Sequence, residues 1–207
     1  MSVPASSSAL DILGGFDPLY AFVLAGLFSP GPNVILLTAS GARFGVWRTL
    51  PHVLGVAAGV GVTSGLTGLG LGALLLAQPA LTMALKIISA SWILWMAYGL
   101  ATRAMADHNA APEHPWSFGK AVLFQWVNPK VWAVAVAAAA GFPGGLSPVQ
   151  EGMRLAQAFS GINLFVCLFW TGAGALLVFL LRSPLAWRIF NLVMAAALAV
   201  AAGMVFL

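Results

Sequence analysis

Residues 28–37 read FSPGPNVILL, and they interrupt an apolar run with two prolines, a glycine and an asparagine. The run continues as AFVLAGLF on the N-terminal side and as VILLTA on the C-terminal side. A proline inside a helix removes one backbone hydrogen bond and clashes with the preceding turn. The stretch therefore predicts a helix that is broken at Pro30–Asn33, with uncovered backbone groups in the middle of an apolar segment.

The chain around this stretch is far more apolar than a soluble domain. Of its 207 residues, 61% are hydrophobic and 7% are charged, and the mean hydropathy is +0.97. In soluble domains, roughly a quarter of the residues are charged. The composition predicts an all-α polytopic membrane protein with the lipid bilayer as its surroundings. The net charge of +4 is scattered between apolar runs, so it does not indicate nucleic-acid binding.

The sequence lacks the motifs that several classes of chemistry require. The single cysteine, Cys167, excludes an internal disulfide, a CxxC redox pair and a cysteine-rich metal site. The chain has no Walker A, HExxH or GxSxG motif, so neither ATP hydrolysis nor an intramembrane enzyme is predicted. We expect no catalytic residues, no metal and no other cofactor. The first fifteen residues hold no Lys or Arg, so no cleavable signal peptide is predicted.

Six apolar runs are at least as long as the roughly 20 residues that a membrane span needs. They cover about 16–40, 50–77, 80–101, 118–141, 155–181 and 185–207. The longest polar connection, residues 102–117, divides them three and three. We expect residues 1–207 to form one transmembrane transporter domain, with a first repeat at about 16–101 and a second at about 118–207.

The basic residues are distributed unevenly between the two sides of these runs. Six lie in alternate connections: Arg43, Arg48, Arg103, Lys120, Arg182 and Arg188. The other side holds only Arg154 and Lys86, both near run ends. Because cytoplasmic loops are enriched in Lys and Arg, we expect the basic connections in the cytoplasm and both termini outside. If the first run does not span fully, five spans and a cytoplasmic N-terminus are the alternative.

The fourth run contains a second break. Its sequence FGKAVLFQWVNPKVW places Asn128, Pro129 and Lys130 one turn after Gln125. Three spans in each half force the second half to be inverted relative to the first. We therefore expect six transmembrane helices as two inverted three-helix repeats, with the first and fourth helices broken. Paired broken helices in matching positions are the best sequence pointer to a transport site.

The residues at the two breaks suit a small solute that carries a carboxylate and an amino group. Half-helix N-termini present free N–H groups and the positive end of the helix dipole to an anion. Asn33 and Asn128 can both donate and accept hydrogen bonds. Lys130 adds a full charge, which is costly in the bilayer without water or a partner. The candidate substrate-binding residues at the breaks are Pro30, Gly31, Pro32, Asn33, Gln125, Asn128, Pro129 and Lys130.

Three segments together resemble the LysE/RhtB family of amino-acid exporters. They are SPGPNVILLTASGARFGVWRTLPHVLGVAAGVGV (29–62), LKIISASWILWMAYGLATR (85–103) and FQWVNPKVW (124–132). The resemblance implies a six-helix protein of the bacterial inner membrane that exports amino acids or their derivatives as a secondary transporter. The motifs look closest to the cysteine and O-acetylserine exporters, and homoserine and threonine exporters share much of the pattern.

Four further residues are candidates with plain structural alternatives. Lys86 matches the third-helix pattern of the family, but it is near enough to the run end to snorkel to the interface. Asn163 could face a cavity or bond a neighbouring helix. His52 and Asp17 are candidates for proton coupling, since His titrates near neutral pH. The structural alternatives are that His52 is an interfacial anchor and that Asp17 caps a helix.

Export by alternating access of a small, neutral amino acid is the leading interpretation. Asp17 is the only acid associated with a run, whereas an exporter of basic amino acids is expected to hold a carboxylate at mid-membrane. Export of basic amino acids, and a channel or scaffold subunit, remain alternatives. The second run is rich in glycines at spacings of four, which predicts close helix packing within one chain or a homodimer through this helix.

Overall fold

The computed structural model describes residues 17–105, 114–181 and 183–206. In chain order, its helices are α1 (Pro18–Phe28), α2 (Pro32–Leu66), a π-helical turn (Thr67–Leu71), α3 (Gly72–Ala77), α4 (Pro79–Met105), α5 (Phe118–Val127), α6 (Pro129–Gly141), α7 (Pro148–Leu177) and α8 (Pro184–Met204). No strand occurs in these ranges. The expectations for the N-terminal segment, the middle of the polar loop and Arg182 lie outside the described residues.

The described helices confirm a multi-pass membrane protein. Four stretches are long and apolar enough to cross a membrane: Pro32–Leu74, Pro79–Thr102, Pro148–Leu177 and Pro184–Met204. Helices α5 and α6 pass the same test as a pair, with a bend of 64° between them, so the described residues hold four or five candidate spans. Helix α1 has 11 residues and is too short to span alone.

Both predicted breaks are present. Ser29–Gly31 separate α1 from α2, and Asn128 separates α5 from α6. Each following helix begins with a proline, Pro32 or Pro129. Proline is favoured at this first position because its missing N–H would have no partner inside the helix. Each break therefore ends one half-helix, and the half-helix that follows it begins at little cost in free energy.

A third break, at Gly45, is shorter than the connection that the sequence predicted there. The sequence favoured a loop between residues 40 and 50, yet helical residues flank a single non-helical glycine with φ +76° and ψ 173°. The Ser40 and Thr49 hydroxyls, nine residues apart, lie 3.2 Å from each other, and the Thr49 hydroxyl donates to the Gly45 carbonyl at 2.8 Å. Nine residues of straight helix would rise about 13 Å. The chain therefore folds back locally at Gly45.

The glycines of α2 allow close contacts with other helices of the same chain. A methyl group on Gly59 would lie 2.7 Å from the Gln125 side chain on α5. A methyl group on Gly65 would lie 3.2 Å from Ala156 on α7. Because α2 contacts α5 on one side and α7 on the other, its small residues place it at the centre of the bundle.

The bundle carries polar side chains inside and apolar side chains outside. Gln125, Asn128 and Asn163 are at most 3% exposed. Large apolar side chains such as Trp95 and Phe165 are more than half exposed. This distribution is the reverse of that in a soluble protein and fits a bundle surrounded by lipid, with a polar interior that needs hydrogen-bond partners.

Candidate functional site

Lys130 connects the two breaks. It is the second residue of α6, and its ammonium donates hydrogen bonds to the backbone carbonyls of Ser29 and, at 3.3 Å, Pro30. These carbonyls lie at the C-terminal end of α1, where the helix dipole is negative. The charge predicted to need a partner inside the bilayer thus receives it from the broken backbone of the other half of the chain.

Three amide side chains form a network beside Lys130. Asn33 donates to the Gln125 side-chain carbonyl at 2.8 Å, and Gln125 donates back to Asn33 at 3.2 Å. Asn128 donates to the same Gln125 oxygen at 3.4 Å, and its own oxygen accepts from the Lys130 backbone N–H at 3.2 Å. The predicted residues Asn33, Gln125, Asn128 and Lys130 therefore form one contiguous polar cluster.

A small cavity lies inside this cluster, and we call it the central cavity. Its volume is about 20 Å³, enough for about one water molecule. Its polar side chains are Asn33, Asn128, Lys130, Asn163 and Trp170. Asn163, a candidate from the fifth run, is therefore brought to the breaks from α7.

A second cavity of about 390 Å³ lies on the other side of Lys130, and we call it the Lys86 cavity. Its lining includes the candidates Pro30, Pro32, Lys86 and Pro129. Three residues line both cavities: Gly31, Asn128 and Lys130. The Lys130 side chain stands at their common boundary, and the Lys86 cavity is much the larger of the two.

His52 lies away from the breaks, in a cavity of about 240 Å³ that we call the His52 cavity. Its ring is 2% exposed and lies 5.2 Å from the Trp116 ring between centroids. Neither ring nitrogen has a hydrogen-bond partner among the described residues. Arg43 and Lys120 also line this cavity, so its wall is basic.

Asp17 also lies away from the breaks. Its carboxylate accepts from the Leu19 N–H at 2.9 Å, which caps α1, and forms an ion pair with Arg154 at 3.0 Å. Arg154 is also paired with Glu151 at 2.8 Å and donates to the Phe142 carbonyl. These contacts join the start of α1, the end of α6 and the start of α7.

Trp170 is a cavity residue that the sequence did not indicate. An indole packs equally well against lipid, between helices or in a cavity, and Trp170 lines the central cavity. The available signal was its spacing, because Trp170 follows Asn163 by two helical turns and so lies on the same face of α7. The Ser29 contact had no signal, since its backbone carbonyl makes the bond.

No metal site is found in the part of the chain that the structure describes. Within it, no three His, Cys, Asp or Glu side chains are grouped closely enough to hold an ion. The absence of a cofactor stays a prediction.

Two curated relatives are named cysteine/O-acetylserine efflux proteins, one from Salmonella choleraesuis (strain SC-B67) and one from Salmonella typhimurium (strain LT2). Each is 29% identical over 123 residues, which are 59% of this chain and 63% of the relative. An uncharacterized membrane protein of Pseudomonas aeruginosa is 30% identical over 131 residues, 56% of this chain and 59% of its own length. The chain therefore spans less than two thirds of these relatives. No solved structure matches it.

A family match covers more of the chain than these relatives do. Residues 24–207 match the LysE type translocators. That range holds both breaks, the Asn33–Gln125 pair, Lys130 and Asn163. The resemblance noticed in the three sequence segments is thus confirmed, and the chain belongs to the LysE type translocator family.

Proposed function

We propose that the chain is a secondary transporter that exports small, neutral amino acids or their derivatives from the cytoplasm by alternating access. The observation that carries this proposal is the contact of Lys130 with Ser29 and Pro30 across the two breaks. A charged side chain beside buried amides inside an apolar bundle supports this proposal, because transporters bind charged solutes in such surroundings. The efflux named in the Salmonella relatives supports the same direction of transport.

In this proposal the break residues bind the two charged ends of an amino acid. The ammonium of Lys130 and the N-terminus of α2 bind the carboxylate. Asn33 and Asn128 bind the amino group through their side-chain oxygens, and Gln125 holds Asn33 in place. Pro30, Gly31, Pro32 and Pro129 keep the backbone broken, and Lys86 attracts the carboxylate into the larger cavity.

The charges around the site support a neutral substrate. Among the described residues that line the central and Lys86 cavities, none is Asp or Glu. Asp17 is engaged with Arg154 instead. A basic side chain would therefore meet Lys130 and Lys86 without a carboxylate to pair with, and export of basic amino acids is the weaker alternative.

We further propose that residues 1–207 are one transporter domain with six spans in two inverted repeats, in the bacterial inner membrane. The local reversal at Gly45 supports a division of α2 between the first and second spans. The basic residues near the His52 cavity, including Arg43 and Lys120, support a cytoplasmic location for that end. The end marked by Asp17 and Arg154, and both termini, then face the periplasm.

Proton coupling and dimerisation remain proposals of lower rank. His52 is the better candidate for coupling, because its ring nitrogens have no described partner, whereas Asp17 caps α1 and pairs with Arg154. A homodimer through α2 would have to use its exposed stripe of Leu54 and Val62, since the opposite glycines contact α5 and α7.

Counterflow in proteoliposomes tests the proposed function. Vesicles are preloaded with cysteine, O-acetylserine, homoserine, threonine, lysine or arginine, and uptake of the labelled solute is followed. We expect saturable exchange of neutral solutes that is lost in Lys130→Ala and reduced in Asn33→Ala. Arg188→Ala removes an exposed charge elsewhere and is the matched control. Unsaturable flux would indicate a channel, and exchange that survives both site variants would move the site away from the breaks.

A further inference from the structure

We infer that the central cavity is the subsite for the carboxylate of the substrate, and that Asn163 and Trp170 bind this group together with Lys130. The inference rests on the proposed function and adds to it the side chains that recognise the acid group. It assigns a binding role to Trp170, a residue of α7 outside both breaks.

Two residues that line this cavity each carry a hydrogen-bond donor without a partner in the described part of the chain. The side-chain nitrogen of Asn163, a residue that is 3% exposed, makes no hydrogen bond among the described residues. The buried indole nitrogen of Trp170 makes none either. A buried donor without a partner is costly, and such groups in native proteins call for an explanation such as a ligand. Both residues line the same cavity of about 20 Å³.

The remaining polar groups of the cavity also favour an anion. Lys130 carries a positive charge, and α2 begins at the cavity with no side chain capping its first turn. The first N–H groups of a helix lack partners within it, and Asn33 and Val34 of that turn line the cavity. No acidic side chain is among the described lining residues. A carboxylate, which only accepts hydrogen bonds when ionised, matches this set of donors.

Lys130 controls the access to this subsite. A volume of about 20 Å³ admits about one water molecule and no amino acid. The Lys86 cavity of about 390 Å³ shares Gly31, Asn128 and Lys130 with it. When the Lys130 ammonium leaves the Ser29 and Pro30 carbonyls for the substrate, its side chain no longer separates the two cavities. The carboxylate then reaches Asn163 and Trp170, the amino group binds Asn33 and Asn128, and the side chain of the substrate occupies the larger cavity.

The test compares cysteine with cysteamine, which keeps the thiol and the amino group but lacks the carboxylate. The readout is the ratio of their dissociation constants, measured on the full-length protein in detergent under reducing conditions. The variants are Trp170→Phe, which removes the indole N–H and keeps a ring, Asn163→Leu and Asn163→Asp. Trp92→Phe is the matched control, because the Trp92 indole nitrogen is also buried without a partner but lies against Phe124, outside the central cavity.

We expect Trp170→Phe and Asn163→Leu each to weaken cysteine binding by about tenfold or more, since a hydrogen bond to a charged group has about this effect on affinity. Cysteamine binding should stay within about twofold, because cysteamine has no carboxylate for Asn163 and Trp170 to bind. Asn163→Asp should repel cysteine while leaving or improving cysteamine binding. The Trp92→Phe ratio should equal that of the wild type.

Three results would overturn the inference. The first is a wild-type protein that does not prefer cysteine, and the second is an equal loss of both ligands in the Asn163 and Trp170 variants. The third is a loss of the same size in Trp92→Phe. A wild-type protein that shows neither binding nor counterflow of any neutral amino acid would overturn the proposed function as well. A wild-type protein that exchanges amino acids but has variants with an unchanged ratio would overturn the carboxylate subsite alone.

Discussion

Gly31 leaves space for the Lys130 side chain, which packs directly against it. A methyl group on Gly31 would lie 2.9 Å from the Lys130 Cδ atom and 3.1 Å from its nitrogen. Its backbone is fully extended, with φ −178°, so any residue can adopt it. We therefore expect Gly31→Ala to move the Lys130 ammonium without unfolding the protein. Counterflow should fall roughly tenfold, the usual effect of one lost charged hydrogen bond, while the melting temperature changes little.

Gly99→Ala is the control for this substitution. Gly99 lies within α4, and a methyl group there meets no atom within 4 Å. Alanine should stabilise that helix by up to about 1 kcal/mol and leave transport unchanged. Full transport by Gly31→Ala would show that the position of Lys130 is not critical, and equal stability losses in both variants would assign the effect to glycine replacement in general.

The site residues differ in how far the sequence could predict them. Asn33 and Lys130 were predictable because prolines mark the breaks in plain apolar sequence, and any polar residue there needs a partner. Their actual partners could not be predicted, because the Ser29 carbonyl and the Gln125 side chain reach them only through the packing of segments that are distant in sequence. Trp170 was missed because an indole fits lipid, core or cavity equally well from sequence alone.

At the scale of the elements, Gly45 is the one residue inside α2 with a non-helical backbone. Its φ of +76° and ψ of 173° lie in a region that is essentially restricted to glycine. A methyl group at Gly45 meets no atom within 4 Å, so its cost is conformational alone. We expect Gly45→Ala to lower the free energy of unfolding by about 1–3 kcal/mol, measured by denaturation in mixed micelles.

Gly119→Ala provides the comparison, because Gly119 is helical and equally uncrowded but has no positive φ. That variant should be as stable as the wild type or slightly more so. If Gly45→Ala were equally stable, the segment around Gly45 would be free to form a continuous helix, and the local reversal would have no energetic basis.

The helices show why the sequence predicted spans better than boundaries. Apolar runs located α4, α7 and α8 to within a few residues at most ends, because lipid selects for long apolar segments. The start of α7 at Pro148, rather than near residue 155, was hidden by a polar first turn that includes Glu151. The single-residue break at Gly45 was hidden because glycine occurs equally in helices that pack closely.

At the scale of the whole molecule, the two halves of the chain are intertwined rather than side by side. Helix α1 of the first half contacts α6 of the second, with the Phe22 and Phe142 rings 5.2 Å apart. Lys130 and the Asn33–Gln125 pair make further contacts between the halves. A rigid-body movement of one half against the other must therefore change these contacts. The proposed alternating access therefore becomes testable at this interface.

A cross-link between the halves at Phe22 and Phe142 should stop transport. Cys167 is the only cysteine, so Cys167→Ala provides a background in which Phe22→Cys and Phe142→Cys are the only thiols. Under alternating access, a short bifunctional thiol reagent should abolish counterflow in the double variant, and a reducible reagent should allow recovery. Each single variant should transport normally after the same treatment. The control pair, Phe165→Cys with Phe169→Cys, lies within α7 and should transport when cross-linked. If Phe22→Cys with Phe142→Cys were completely cross-linked and the exchange rate were unchanged, a relative movement of the halves at this contact would be excluded. The transport cycle would then have to proceed within a fixed bundle, through local movements such as that of Lys130.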